Sequence, residues 1–365
     1  MIASQFIEII RGIFPKLQEI TEKVNGKRNG EKQRTYLHKT MLRKVYSTDQ
    51  KWANASVNNT YVAADMVSMN SPLPLKSRST IAHSNGLLPK IGIKKVMMET
   101  DINSVNVMKA QGQEWAQVAN KLIADPVACS VAIDEQNEAN FLSGLSNGVV
   151  AVEDDKNVGT ALRIKFGYLE KNGFGVAVKD EIRLNDIERV INAANANGDS
   201  ITVIALSLST YNKLRQTQEA KELVANYRGM NFSSTTKLPV PTASAFDEAF
   251  KDNYAGITFL KIDRSVIYEK DGKRKSYKPW NENRIIYLTS EEVGALVWAT
   301  LAEKTNPVEG VVYTTVDEYK LISRYRTTDP LTETTAGQAL VLPVIENIDQ
   351  VYYQDLSEEQ TANEA

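Results

Sequence analysis

Cysteine and histidine are almost absent from this sequence. Its 365 residues include one cysteine, Cys129, and two histidines, His38 and His83. A single cysteine excludes an internal disulfide. The two histidines are far apart and have no cysteine partners, whereas a zinc site needs about four ligands. We therefore predict no catalytic, cofactor-binding or metal site, and we expect Cys129 to be a small core residue.

Long apolar runs and an excess of one charge are also missing. No run approaches the roughly 20 apolar residues that span a bilayer, so no membrane partner is expected. The first residues lack the basic region and the cleavage site of a signal peptide. A formal net charge of -2 gives no argument for nucleic-acid binding by the chain as a whole. The hydrophobic share of 42% is ordinary for a globular protein, and the length allows two domains.

The charges that are present are unevenly distributed. The first fifty residues are rich in lysine and arginine, and the stretch from Glu346 onward has acids but no lysine or arginine. Such ends can face different partners, or they can simply be solvated.

An extended stretch and a helix occupy residues 71–148. Pro72 and Pro74 favour extended backbone before them, and residues 83–86 (HSNG) have the composition of a turn. Ile91, Ile93 and Val96 alternate with polar residues, as in a half-exposed strand. Because a hairpin is marginally stable by itself, this predicted ribbon needs another surface to lie on.

The helix that follows is predicted for residues 101–148, with Asp101 as its N-cap. Apolar residues recur every three to four positions. Asp125 and Pro126 have the composition of a helix start, so we expect one break there. Asn147 and Gly148 predict the end.

The second half of the sequence predicts an α/β unit within a β-rich domain. Residues 201–208 form an apolar run typical of a strand buried on both faces, and helical patterns flank it. Residues 327–338 are predicted to be a loop. The late strands predicted for residues 340–344 and 349–355 are expected to pair with residues 149–178. Residues 271–278 (DGKRKSYK) could contact phosphate, but a solvated hairpin tip is the alternative we favour.

This order of elements resembles the major capsid protein of tailed double-stranded-DNA bacteriophages, with its Hong Kong 97-like fold. Four stretches carry the resemblance: Arg78 with residues 86–91 (GLLPKI), residues 125–148 with Glu138, residues 201–214, and the ending YKLISRYRTTDPLTE followed by QALVLPVIENIDQVYY. The resemblance implies an α+β protein with the following parts: an N-terminal arm (1–70), an extended loop or β-ribbon (71–100), a spine helix (101–148), a peripheral β-rich domain (149–180 and 308–356), an inserted apical α/β domain (181–307) and an acidic tail (357–365).

The resemblance also implies a function. The protein would be a structural subunit rather than an enzyme, and it would assemble as hexamers and pentamers into an icosahedral head. Its partners would be further copies of itself, packaged double-stranded DNA, and portal, scaffolding and decoration proteins. It would assemble in the host cytoplasm and reside in the virion. An encapsulin-type nanocompartment shell protein is the alternative, and an α/β enzyme with an unrecognised site is the third.

Three sets of site residues follow from the resemblance. The extended loop would contact a neighbouring subunit through Lys76, Arg78, His83, Asn85, Gly86, Pro89 and Lys90. The basic arm would face the interior of the shell through Lys27, Arg28, Lys32 and Arg34. Some shells of this family join a loop lysine to an asparagine of another subunit. Here Lys76, Lys90, Lys94 or Lys95 would pair with Asn347, with Glu346 nearby, although loop lysines also serve solubility.

Overall fold

The structure is a computed structural model that describes residues 3–25, 35–56, 82–111, 115–152, 162–232, 237–270 and 272–360. Helices and strands are mixed along these residues, as the predicted α+β class requires. The helices are α1 (Ile7–Ile13), α2 (Leu17–Asn25), α3 (Leu37–Met41), α4 (Glu99–Ala110), α5 (Trp115–Asn147), α6 (Leu184–Ala196), α7 (Leu208–Gln216), α8 (Gln218–Tyr227), α9 (Ala243–Asn253) and α10 (Ala302–Thr305).

The strands are distributed over the whole length of the described chain. They are β1 (Leu42–Tyr46), β2 (Lys51–Ser56), β3 (Ala82–Leu87), β4 (Lys90–Met98), β5 (Val149–Val152), β6 (Leu162–Lys165), β7 (Gly173–Val176), β8 (Val203–Ser207), β9 (Thr258–Ile262), β10 (Val266–Lys270), β11 (Lys273–Tyr277), β12 (Arg284–Leu288), β13 (Gly294–Ala299), β14 (Val312–Val316), β15 (Lys320–Thr328), β16 (Leu331–Ile345) and β17 (Val351–Glu359).

The chain forms two compact units, and each unit is assembled from distant parts of the sequence. The first unit contains Met1–Trp52, Asn85–Phe141 and Ala295–Val344; the second contains Ala53–Ser84, Leu142–Gly294 and Ile345–Ala365.

A mixed helix and sheet core organises the first unit. Its sheet has the strand order β1-β13-β16-β15-β14, and β4 pairs antiparallel with β16. Apolar side chains of α1, α4 and α5 pack with residues of this sheet, among them Ile10, Ile102, Leu122 and Ile322. Cys129 is fully buried in the same cluster, which confirms its predicted role, and burial raises the pKa of its thiol to about 12.

The pairing of the late strands differs from the prediction. Residues 327–338 are not a loop, because from Leu331 onward they belong to the 15-residue strand β16. The threonine-rich run in β16 is buried, since β15 pairs with one of its edges and β4 with the other. β-branched threonine suits such a central strand. The predicted pairing with residues 149–178 is right for β17, which lies parallel to β7, and wrong for β16, which pairs with β15 and β4.

The predicted helix break at Pro126 is also wrong. Helix α5 runs through Pro126, and the interruption comes earlier, where α4 ends at Ala110. A proline within a helix has no N–H for the carbonyl four residues before it, which here belongs to Leu122. Nη1 of the buried Arg324 on β15 donates to that carbonyl at 3.0 Å. The strand therefore replaces the hydrogen bond that the proline removes.

The second unit has its own sheet, with the order β7-β17-β12-β8-β9, and helices α6 to α9. The prediction of a fully buried strand is confirmed by β8, which lies between β12 and β9. The N-cap of α7 is Ser207, whose side chain accepts from the Thr210 N–H at 3.0 Å. Tyr211 is buried among aromatic rings, as expected for a core residue.

The link between Pro126 and Arg324 predicts a coupled effect on stability. Substituting Arg324→Met should lower the free energy of unfolding by about 3–5 kcal/mol, because Glu333 loses its buried partner. In a Pro126→Ala background the cost should be about 1 kcal/mol smaller, since residue 126 then donates to Leu122 itself. Denaturant unfolding of the four chains of this double-mutant cycle measures the difference. If Arg324→Met lowered the free energy of unfolding equally with proline and with alanine at position 126, Arg324 would not replace the hydrogen bond that Pro126 removes.

Candidate functional site

Strand β4 is an edge strand that leaves one side of its backbone open. It pairs with β16 over nine residues, from Lys90 opposite Leu340 to Met98 opposite Thr332. Among the strands that the structure describes, none pairs with its other edge. A long open edge is a template for pairing with another chain.

Large apolar side chains are exposed along and beside this strand. Leu87 is 72% exposed, Met98 55%, Val107 52% and Val96 46%. On β4 itself, Val96 and Met98 lie on the exposed face, while Ile93 and Met97 pack on the core of the first unit. Exposed apolar side chains on a strand with an open edge are features of a contact surface.

The predicted extended-loop residues fall partly in this region. The expected turn at residues 83–86 is wrong, because those residues belong to β3, and Leu88 and Pro89 connect β3 to β4. Strand β3 pairs with β2 rather than with β4. In the connection between β3 and β4, the Leu88 N–H donates to the Gln50 carbonyl at 2.9 Å.

The structure gives individual positions for most of these residues. Asn85 and Lys90 are exposed and Pro89 is half-buried. Gly86 lies against the buried Trp52 ring, and an added Cβ would come within 2.9 Å of its Nε1 atom. His83 lies on β3, but its side chain is outside the described residues, as are Lys76 and Arg78.

The basic-arm residues Lys27, Arg28, Lys32 and Arg34 also lie outside the described residues. The residues that follow them in the sequence contribute to an ionic cluster, which we call the anchor cluster. It contains Tyr36, His38, Lys39, Asp134, Glu138, Asp317 and Lys320.

Glu138 on α5 binds the start of α3. Its Oε1 accepts from the Leu37 N–H at 3.0 Å, and its Oε2 accepts from the His38 N–H at 3.1 Å. The same Oε2 lies 2.7 Å from Nδ1 of His38, whose side chain is fully buried. A carboxylate at the first N–H groups of a helix satisfies donors that have no partner within the helix.

Asp134, one turn earlier on α5, completes the anchor cluster with two lysines. Its Oδ1 lies 2.7 Å from Nζ of Lys320, and its Oδ2 lies 3.1 Å from Nζ of Lys39. Both lysines also reach Asp317, at 2.6 and 3.1 Å. Burial by itself would raise the pKa of the Asp134 carboxyl, but the facing His38 ring and the charges of Lys320 and Lys39 hold it well below its usual range.

The sequence alone did not point to the anchor cluster. Asp134 and Glu138 are four residues apart, so a helix places them on one face. That spacing was the available signal. Their partners come from positions about 100 and 180 residues away, and no local pattern connects them.

Among the described residues, no group of three His, Cys, Asp or Glu side chains is placed to hold a metal ion. No helix in the described part of the chain has the length and apolar character needed to cross a membrane.

Comparison with known sequences decides the family. Residues 16–352 match the family of phage major capsid protein E. The chain belongs to this family. No curated protein sequence matches it.

Solved structures support the fold. A protein assigned to the capsid of an Escherichia coli CFT073 prophage has 13% identity and a TM-score of 0.52, over 88% of this chain and 92% of that one. The mature capsid protein of bacteriophage PhiM1 has 8% identity and a TM-score of 0.47, over 90% of each chain. The SrpI encapsulin of Synechococcus elongatus PCC 7942 has 8% identity and a TM-score of 0.40, over 88% of each chain. The first similarity supports a shared fold, while the other two scores are too low to carry an argument.

This phage capsid protein therefore has the predicted Hong Kong 97-like fold. Its role is structural, it self-assembles, and its location is the virion, as membership of the family implies. In a capsid protein of this family, an open strand edge and exposed apolar residues are expected features of a subunit surface. The anchor cluster has a different task, because it is buried within the first unit.

The lowered pKa of Asp134 predicts how stability depends on pH. A carboxyl whose pKa is lower in the folded state stabilises the fold above its unfolded pKa of about 3.9. That contribution is lost as the pH falls through the lower folded value. Wild type should thus lose more stability below about pH 4 than Asp134→Asn does. At neutral pH the Asp134→Asn chain should be less stable by about 3 kcal/mol, because the fully buried Lys320 loses one of its carboxylate partners.

Chemical unfolding of the unassembled chain between neutral and acidic pH measures both effects. Glu318→Gln in the neighbouring turn is the control. Its partner Lys44 is 4.0 Å away and both side chains are exposed, so solvent screening should keep its effect below about 0.5 kcal/mol. If the free energy of unfolding changed with pH in the same way for wild type and Asp134→Asn, the lowered pKa of Asp134 would be contradicted.

Proposed function

We propose that this capsid protein assembles as hexamers and pentamers into an icosahedral head that encloses double-stranded DNA. The observation that carries the proposal is the open edge of β4 with its exposed apolar side chains, Leu87, Val96, Met98 and the neighbouring Val107. Burial against other copies would remove this surface from water. Closed rings use the same contact repeatedly, so weak contacts add up by symmetry.

The extended loop supplies the strap between subunits in this proposal. The exposed Asn85 and Lys90 and the half-buried Pro89 would lie on a neighbour, together with His83, Lys76 and Arg78. Gly86 contributes differently, since its missing side chain lets the strap pack on Trp52 within its own subunit.

The basic arm would contact the packaged DNA. Lys27, Arg28, Lys32 and Arg34 directly precede the anchor cluster, which fixes the end of the arm on α5 through Glu138. Four cations on a tethered segment would bind phosphates weakly and without sequence preference. The affinity would fall as salt rises.

The remaining parts keep the roles that the resemblance implies. Residues 101–148 would be the spine, 149–180 with 308–356 the peripheral domain, 181–307 the apical domain and 357–365 the acidic tail. The subunit would have no catalytic activity. It would assemble in the host cytoplasm with scaffolding protein and would meet portal and decoration proteins there.

A covalent crosslink between subunits is a further part of the proposal. Lys90 and Asn347 both have exposed side chains, and the backbone of Asn347 is left-handed, with φ 52°. Attack of the neutral Lys90 amine on the Asn347 side-chain carbonyl would form an amide and release ammonia, with Glu346 nearby to take the lysine proton. A denaturing gel of mature particles should then show a ladder that Lys90→Arg removes. A monomer band alone would exclude the crosslink.

Negative-stain microscopy of the purified full chain tests the assembly itself. Closed particles the size of a phage head support the proposal, and smaller closed shells would instead favour an encapsulin-type compartment. A chain that stays monomeric or dimeric under all conditions would overturn it.

The role of β4 predicts a specific loss of assembly. Val96→Glu with Met98→Glu should strongly reduce the yield of shells, because two carboxylates would be desolvated in the contact. The subunit should stay folded, since both side chains are exposed in it. Val240→Glu, at a position 49% exposed in the second unit, is the matched control. Normal shells from the double variant would contradict the role of β4 as a contact surface between subunits.

A further inference from the structure

A small cavity in the second unit lies where three segments of the chain meet. The first segment is the end of β8 with the start of α7, the second links β9 to β10, and the third links β11 to β12. Ser209, Arg264 and Trp280 line the cavity from these three segments. Its volume of about 10 Å³ for the centre of a water-sized group is enough for one water molecule or one small ion.

Trp280 gives this cavity a buried hydrogen-bond donor. The residue is only 4% exposed, and no acceptor among the described residues reaches its Nε1 atom. An indole N–H can donate but cannot accept. Leaving a buried donor without a partner costs free energy, so the occupant of the cavity is expected to present an acceptor.

The start of helix α7 adds further donors. Its N-cap Ser207 and its first residues Leu208 and Ser209 all line the cavity. The first N–H groups of a helix have no partner within it, and the positive end of the helix dipole lies there. Strands β8 and β9 are parallel, and the cavity lies at their carboxyl ends. Ligands of α/β sheets bind at such an edge, and anions bind at helix N-termini.

Charged side chains complete the lining, and their formal charges balance. Nζ of Lys278 lies 2.8 Å from Glu282 and 3.9 Å from Asp263, and these two carboxylates are 50% and 58% exposed. Arg264 supplies the second cation. Because the acids are half in solvent and share Lys278, the buried N–H groups have the greater influence on what the cavity binds.

We infer that this cavity binds a small monovalent anion of the size of chloride or bromide. The N–H of Trp280 and the first N–H groups of α7 would donate to the ion, and Arg264 and Lys278 would offset its charge. A phosphate or sulfate is too large for the volume. The inference does not depend on the proposed assembly, so its failure would leave that proposal unchanged.

The bound anion would join both ends of the β10–β11 hairpin to the start of α7, because lining residues directly precede β10 and directly follow β11. This hairpin is a two-stranded sheet that pairs with no other strand the structure describes. A two-stranded hairpin is marginally stable by itself. The anion would therefore stabilise the hairpin.

Indole ¹H–¹⁵N NMR of the unassembled full chain tests the site with sodium bromide as the probe. Sodium gluconate, whose anion is too large for the cavity, keeps the ionic strength constant. The chain has four tryptophans, and Trp280→Phe identifies the Trp280 signal as the one it removes. That signal should shift along a saturable curve as bromide rises, while those of Trp52 and Trp298 in the first unit stay unchanged. A shift without saturation, or an equal shift of all indole signals, would assign the cavity to water and overturn the inference.

Two half-exposed residues of the lining allow a test with opposite signs. Lys278→Met should raise the bromide concentration at half-saturation about threefold, and Glu282→Gln should lower it about threefold, since exposed charges contribute modestly. The matched controls Lys171→Met and Glu248→Gln change exposed residues of the same unit outside the cavity and should behave as wild type. Half-saturation at the wild-type concentration in both lining variants would contradict the binding of an anion.

Amide hydrogen exchange measures the effect on the hairpin. Bromide at ten times its half-saturation concentration should slow exchange in β10 and β11 about tenfold, because the site is lost when the hairpin opens. Trp280→Phe should lose most of this protection. Equal protection in wild type and Trp280→Phe would contradict the role of the indole N–H.

Discussion

Two buried cations of strand β15 hold the long helix α5 to the sheet of the first unit. Lys320 binds Asp134, and Arg324 binds the carbonyl of Leu122 that Pro126 leaves without a partner. Both cations are fully buried, so water cannot replace these contacts. Burying a charge costs several kcal/mol unless it is paired and hydrogen-bonded. The pairing is therefore obligatory, and it sets the register of helix against strand more narrowly than apolar packing would.

The same charges connect the helix to the parts of the chain that approach it from elsewhere. Asp134 also forms an ion pair with Lys39, and the Glu138 carboxylate accepts hydrogen bonds from the backbone N–H groups of residues 37 and 38. A segment that follows a basic stretch is thereby fixed on the unit, although it has too few apolar residues to pack firmly by itself. Glu333, which accepts from Arg324, also accepts from the backbone N–H of Gln5. Both N-terminal segments thus depend on the ionic contacts of the sheet and helix.

In the first unit of this capsid protein, buried charged groups are paired, whereas the surface strand β4 has a backbone edge that pairs with no other described strand. Inside the first unit, Lys320 and Arg324 are paired with buried carboxylates, and apolar side chains form a buried cluster. On its surface, β4 keeps an unpaired edge within the described residues and exposes Val96 and Met98. These surface features cost free energy in a lone subunit, and contacts between copies would recover it.

Local patterns determined much of this fold. A continuous apolar run was enough to identify β8, because only a strand covered on both faces tolerates it. A single 3-10 turn that contains Pro15 separates α1 from α2, since proline disfavours a helix interior. The order of elements was enough to indicate the capsid fold. Composition alone placed Cys129 in the core. Each of these conclusions rests on residues that are close in sequence, where backbone geometry and solvent exposure are decided locally.

Only the tertiary structure decided what depends on distant partners. Pro126 looks like a helix start until Arg324, 198 positions later, supplies the missing hydrogen bond. The threonine-rich run of β16 resembles a loop until β4 and β15 pair with both of its edges. His38 resembles an isolated histidine until Glu138 is placed 2.7 Å from its ring. Propensity and periodicity describe one segment at a time, whereas the free energy of a buried proline, threonine or charge is set by the group that lies opposite it.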